Sequence, residues 1–236
     1  GDSDAYFAQL AGKVSLQSLA DSDEPDLSEH VIGAWKLLRR IGRGGMGAVY
    51  LAERADEQFE QQAALKLLPK GLDSNKARAR LLVERQILAR LVHDNIARLL
   101  DGGVTDDGSP YFVMDYVDGL PIDEFCERQA LDVDARLSLV LDIASAVQYA
   151  HRNLVIHRDL KPSNVLVGQT DGAPRILDFG IARTLGSDAD LGATRDGQVL
   201  GTVTHMSPEQ AAGRIDDVDT RTDVYALGVM AFELLT

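Results

Sequence analysis

The sequence predicts an α+β fold of two lobes: a small antiparallel sheet carrying one helix, then a larger, mainly helical lobe. Three observations predict it. Short apolar runs separated by glycines fill the chain from Trp35 to Tyr116. After Gly119 the balance tips to helical periodicity. With 45% hydrophobic residues in 236, there is enough apolar material for a real core.

The elements follow in order. Residues 1–32 read as an acidic extension, in which Phe7, Leu10, Ala11 and Val14 fall at helical spacing and 21–29 forms a linker. Residues 33–117 make the first lobe. Its strands are expected over 35–41, 48–54 and 62–68, where apolar runs are bounded by glycine or polar residues. A helix runs from near Asn75 to Leu91, and further strands cover 96–100 and 111–116. Residues 118–236 make the second lobe. Its longest helix spans 133–152, short strands lie at 164–167 and 175–177, a Gly-, Asp- and Thr-rich stretch fills 186–201, and helical periodicity returns over 221–236.

The formal net charge of -13 opposes nucleic acid and anionic membrane as partners. A polyphosphate ligand would therefore need a locally positive site or a metal. Cys126 is the only cysteine, so no internal disulfide forms, a cytoplasmic location is expected, and the thiol reads as a small core residue. The longest apolar stretch, 137–147, is broken by Asp142 and falls short of the roughly twenty residues that span a bilayer. No signal peptide is visible. A start at Gly1 and an apolar helical pattern still open at Thr236 read as a piece of a longer chain.

Between the first two strands stands Gly42-Arg43-Gly44-Gly45-Met46-Gly47-Ala48-Val49, which fits G-x-G-x-x-G-x-V. Glycines let backbone N–H groups approach phosphate oxygens with no Cβ in the way. A dinucleotide fingerprint wants a helix next, whereas strand-forming Ala48-Val49-Tyr50-Leu51 follows, so that reading fades and a plain hairpin is the other alternative. Lys66 sits in the apolar run Ala63-Ala64-Leu65-Lys66-Leu67-Leu68, and Glu84 shares a helical face with Leu81, Leu88 and Leu91. An ion pair between them would answer both buried charges; the alternative is that Lys66 snorkels out and Glu84 sits at a helix edge.

His157-Arg158-Asp159-Leu160-Lys161-Pro162-Ser163-Asn164 is the most informative segment. The pattern H-R-D-x-x-x-x-N arises by chance in roughly one chain of this composition per thousand, so it outweighs the glycine motif. Asp178-Phe179-Gly180 follows fourteen residues after Asn164. Asp159, Asn164 and Asp178 supply an acceptor for a hydroxyl proton and two hard oxygen ligands, the set that Mg²⁺-assisted phosphoryl transfer needs. Taken singly, each has a dull reading as a turn cap or loop amide. Their order after Gly42, Lys66 and Glu84 removes most of its weight.

With these motifs the chain resembles the eukaryotic-type protein kinases, and the Gly-Arg-Gly-Gly-Met-Gly and Ser207-Pro208-Glu209-Gln210 runs are most similar to the bacterial Ser/Thr branch. The resemblance covers about 35–236 and implies the bilobal kinase-like fold, with the last helices absent. It implies ATP and Mg²⁺ as cofactors, with Mn²⁺ as a substitute. Lys66 would hold the α- and β-phosphates, Glu84 support it, Asp159 act as base and Lys161 neutralise the γ-phosphate. Asn164 and Asp178 would bind the metal, and Thr202 would bond near the base. Gly42, Gly44 and Gly47 would cover the phosphates. Met114 would be the gatekeeper, Asp115 to Val117 the hinge that reads adenine, and Ile41, Val49, Ala64 and Leu166 the walls around the ring. Asp223 would hold the catalytic loop from beneath.

Two departures stand out: His205 replaces the tyrosine of many relatives, and the arginine that normally pairs with Glu209 lies beyond Thr236. An orphaned carboxylate should destabilise the lobe. The function implied is phosphorylation of protein Ser/Thr hydroxyls in signal transduction. Activation-loop autophosphorylation, favoured at Thr194, accompanies it, with self-association for a reaction in trans. A nucleotide-binding pseudokinase scaffold and a small-molecule phosphotransferase are the alternatives. The first usually lacks a base, metal Asp or Lys, and none is lacking here. The long loop ending in Ser207-Pro208-Glu209 favours protein substrates over small ones.

Overall fold

The computed structural model describes residues 27–44, 47–55, 61–68, 88–179 and 203–236. A six-stranded antiparallel sheet comes first, in the order β1-β2-β3-β4-β6-β5. Its strands are β1 (Val31–Ile32), β2 (Trp35–Gly44), β3 (Gly47–Arg54), β4 (Gln62–Leu67), β5 (Leu99–Val104) and β6 (Pro110–Asp115). Successive side chains on a strand point to opposite faces, and β4 divides accordingly. Ala63 and Leu65 join Trp35, Leu37, Tyr50 and Val113 in one cluster, while Ala64 and Leu68 join Phe112 and Met114 in the other. Lys66 falls on the second face and is itself buried.

The helical lobe carries α1 (Ile122–Arg128), α2 (Val133–Arg152), α3 (Pro208–Ala211) and α4 (Thr220–Leu235), with a three-stranded sheet of β7 (Gly119–Pro121), β8 (Val165–Gly168) and β9 (Pro174–Ile176). The α2 stripe is Leu139, Ile143, Ala146, Val147 and Ala150, all buried at helical spacing. Asp132 caps it by accepting from Ala135 N at 2.9 Å, a bond worth about 1 kcal/mol. On α4 the buried stripe runs Asp223, Ala226, Met230, Leu234, so an apolar core face ends in a carboxylate. Cys126 of α1 lies in that core, and burial pushes its thiol pKa up, as befits a packing residue.

The segment that leads into β5 is bonded to β9 of the second sheet. Ala97 N donates to Ile176 O at 3.0 Å, Ile176 N to Asn95 O at 2.9 Å, and Asn95 Nδ2 to Pro174 O at 2.8 Å. Ile96 and Ile176 form an isolated parallel bridge there.

The pattern reading needs several corrections. The strand expected at 96–100 is β5, Leu99–Val104, and it runs straight through Gly102-Gly103. Gly103 is not a breaker but a clearance: a Cβ there would meet the Tyr111 ring at 2.9–3.0 Å. The strand expected at 164–167 begins at Val165, because Asn164 ends a 3-10 turn that starts at Pro162. The short β1, β7 and α1 carry too few residues for a periodic signal. Glu209 is no orphan: it is half-buried and accepts from Thr222 Oγ1 at 2.7 Å, a bond that leads in holding its carboxyl below the ordinary range. The N-terminal helical pattern and most of the helix expected at 75–91 lie outside the described residues.

Candidate active site

The loop after α2 is fixed before any ligand arrives. Asp223 at the start of α4 is fully buried, and its Oδ2 accepts from His157 N at 2.8 Å while Oδ1 accepts from Arg158 N at 2.8 Å. His151 Nε2, at the end of α2, stands 2.7 Å from Asp223 Oδ2. Burial by itself pushes the Asp223 carboxyl up, but the His151 bond and the two loop amides, His157 N and Arg158 N, outweigh it and leave the group below the usual carboxylate range. An anion with no exposure is thus tolerated because each oxygen has a donor.

His157 is also fully buried and makes a second set of ties. Its Nδ1 accepts from Asp159 N at 3.2 Å, so the hydrogen belongs on Nε2, which stands 2.8 Å from Leu177 O. Its ring meets Phe179 edge-on, with centroids 4.8 Å apart. One histidine therefore fastens the segment carrying Asp159 to the segment carrying Asp178. Leu177 N adds a bond to Asn164 O at 2.9 Å. Arg158 and Asp178 adopt φ of +70° and +58°, a conformation that costs a non-glycine residue about 1–3 kcal/mol and persists only where the surroundings impose it.

On this frame the charged side chains gather into two neighbouring groups. Asp159 Oδ2 lies 2.8 Å from Lys161 Nζ and 3.1 Å from Asn164 Nδ2, which also donates to Asp159 O at 2.7 Å. Lys66 Nζ lies 2.6 Å from Asp178 Oδ2. The Lys66 side chain is 9% exposed and that of Asp178 23%, so this pair is shielded yet reachable. Glu84 and Thr202 lie outside the described residues, and so do Thr194 and Gly180.

The apolar positions fall on the strands around these groups. Register sets Val49 beside Lys66 and Ala64 beside Met114. Ala64, Met114 and Val117 are buried, Val49 and Leu166 half-buried, and Ile41 exposed. On β8, Val165 and Val167 enter the core, which turns the half-buried Leu166 to the other face. The Asp115 N–H donates to Arg98 O at 3.0 Å and its carboxylate takes Arg98 Nε at 2.9 Å, so of its backbone it is the carbonyl that the hinge reading concerns. Gly42 pairs with Val49 across the glycine-rich hairpin, and Gly44 pairs with Gly47 at its end. Gly47 has φ +118°, and a Cβ there would lie 2.0 Å from Leu67 O, so only glycine fits.

Among the described residues no three His, Cys, Asp or Glu side chains gather into a metal cage. The donor chemistry nevertheless suits a divalent cation shared with phosphates. Asn164 spends its amide nitrogen on Asp159, which leaves its oxygen as the ligand atom, and Asp178 adds a carboxylate. Reasoning from sequence missed His151 and the part played by Gln210, whose Nε2 donates to Arg158 O at 2.6 Å. The only signals were a histidine at a helix end and a glutamine inside a family run.

A family profile described as the protein kinase domain matches residues 35–236. The chain is 39% identical to the serine/threonine-protein kinase Pkn1 of Myxococcus xanthus over 208 residues, covering 86% of this chain and 29% of that protein. It is 38% identical to PrkC of Bacillus subtilis over 212 residues, covering 89% of this chain and 31% of that protein. For PknB of Mycobacterium tuberculosis the identity is 35%, covering 88% and 33%. The chain thus spans about a third of the length of these relatives. Among solved structures, the Mycobacterium tuberculosis PknI kinase domain superposes with a TM-score of 0.67 at 30% identity, covering 88% of this chain and 76% of that one. Motifs, bilobal architecture and profile agree, and the chain belongs to the protein kinase domain family.

Proposed function

We propose that the protein transfers the γ-phosphoryl group of ATP to serine and threonine hydroxyls of protein substrates. One observation carries this reading: the Asp159 carboxylate, aligned by Lys161 and Asn164, shares a frame with the Lys66–Asp178 pair through His157 and Leu177. The names of the bacterial relatives support the Ser/Thr assignment.

Asp159 is the base, its carboxylate having acceptor capacity beyond the two bonds it makes, and it takes the proton of the attacking hydroxyl. Lys161 beside it offsets the charge of the γ-phosphate. Lys66 leaves Asp178 for the α- and β-phosphates, exchanging one anionic partner for another, so the shielded ammonium is never stranded. Ile41, Val49, Ala64 and Leu166 form the walls for the adenine beneath the glycines of the β2–β3 hairpin, with Met114 as gatekeeper and the backbone of Asp115 to Val117 as the hinge. Asn164 and Asp178 would hold Mg²⁺, which supplies neutralisation of the charge on the transferring phosphate. Glu84 as the support of Lys66, Thr202 as a partner near Asp159, and Thr194 as an autophosphorylation site belong to this reading on the strength of the sequence.

Radiolabelled ATP with a generic Ser/Thr protein substrate tests it in the intact protein. Asp159→Asn should lower transfer by about 10²–10⁴-fold. Equal labelling by both proteins removes the assignment.

A further inference from the structure

Arg158 sits between buried His157 and Asp159 with a left-handed backbone that no local preference of arginine supports. Its surroundings must therefore hold it. On the N-terminal side Asp223 Oδ1 takes the Arg158 N–H at 2.8 Å. The next peptide unit, from Arg158 to Asp159, is gripped at both of its polar atoms. His157 Nδ1 takes the Asp159 N–H at 3.2 Å, and Gln210 Nε2 donates to the Arg158 carbonyl at 2.6 Å. A peptide plane held at N–H and C=O cannot rotate, and the Asp159 Cα is attached directly to it.

Gln210 is itself held in one orientation. Its Oε1 accepts from Ser207 N at 3.1 Å, which leaves the single Ser207 hydroxyl hydrogen for Thr222 Oγ1 at 3.4 Å. Turning the amide over would set oxygen against the Arg158 carbonyl and nitrogen against the Ser207 N–H, losing these bonds together. The short helix α3 that carries it is anchored in turn to α4, because Thr222 Oγ1 donates to Glu209 Oε1 at 2.7 Å beside Asp223. A closed ring of bonds therefore runs from Asp223 through Arg158, Gln210, Ser207 and Thr222 back to α4.

We infer that Gln210 is a positioning residue for phosphoryl transfer: by holding the Arg158 carbonyl it sets the direction in which Asp159 presents its carboxylate. It touches no reacting atom and acts through the peptide plane alone. The same bond makes the aim of Asp159 depend on the seat of the Ser207–Gln210 segment. The inference rests on the phosphoryl-transfer reading given above.

The test is steady-state kinetics of the intact protein with ATP and a Ser/Thr peptide, on Gln210→Met and Gln210→Glu. For Gln210→Met, kcat should fall at least ~10-fold, since small misplacement of a reacting group costs up to about 10². KM for ATP should stay near the wild-type value. In Gln210→Glu an ionised carboxylate opposes the Arg158 carbonyl, whereas a protonated one donates to it. Facing a carbonyl oxygen, that carboxyl should titrate well above the ordinary Glu value of about 4.3, so its kcat relative to wild type should recover as pH is lowered from about 8 to about 5.5, while the ratio for Gln210→Met stays flat. A role in stability alone would not move that ratio. An active wild type matched within twofold by Gln210→Met, or a Gln210→Glu ratio that does not change with pH, overturns this inference alone. An inactive wild type overturns the activity reading and this inference with it.

Discussion

Lys66 Nζ and Asp178 Oδ2 stand 2.6 Å apart across 112 positions of the chain. Each charge is the other's partner in a setting that shields both, so the pair brings β4 and the Phe179 segment together before nucleotide is present. Lys66→Met should lower phosphate transfer by about 10²–10³-fold, the loss typical of deleting one preorganised charge donor. The peptide-labelling rate measures it. A variant that keeps more than half of wild-type activity would remove Lys66 from the site.

Gly47 is the position at which the hairpin has no freedom to vary. Gly47→Ala must move β3 away from Leu67 O or relax a backbone angle of +118°, at a cost of about 1–3 kcal/mol. The expected result is a raised KM for ATP. Isothermal titration with a non-hydrolysable ATP analogue checks it, and unchanged affinity would mean that the hairpin does not cover the phosphates.

Asp223 carries a pH dependence whose sign follows from its direction of shift. Its carboxyl is held below the ordinary range, so its contribution to stability is complete above the ordinary carboxylate pKa of about 4 and is lost as pH falls through the lower, folded value. Asp223→Asn sets an amide N–H against the donors at His157 N and His151, and should destabilise by about 2–4 kcal/mol at neutral pH. Urea midpoints measured from neutral pH into the acid range should converge for the two proteins. Parallel curves would mean that the carboxylate is not the group that titrates.

Asp171 gives a local test of the β8–β9 turn. Its bond to Arg175, aided by Ala173 N, brings its carboxyl pKa down to about 2. NMR titration of the side-chain carbonyl should find it ionised at about pH 3, and Arg175→Ala should return it toward the ordinary 3.9. Because the pair is at the surface, that variant should leave the unfolding midpoint almost unchanged. A midpoint in the titration near 4 in the wild type would contradict the bond.

Local chemistry was legible in the sequence wherever one segment carries both the group and its setting. The loop from His157 to Asn164 holds Asp159, Lys161 and Asn164 within eight positions, and in space they bond to one another. The apolar run around Lys66 marked its charge as out of place in solvent, and helical periodicity gave the long helix its bounds. Contacts made at a distance left no such trace. Nothing near Gly103 announces the Tyr111 ring that needs its missing side chain, and nothing near Glu209 announces Thr222. His151 and Gln210 look like ordinary polar residues until Asp223 and Arg158 are folded against them.

The backbone stitching at 95–97 and 174–176 has a mechanical consequence. Ile176 gives and receives main-chain bonds with Ala97 and Asn95, so the strand leading to Asp178 is tethered to the segment that feeds β5. Such a seam resists shear but leaves torsion about its own short axis.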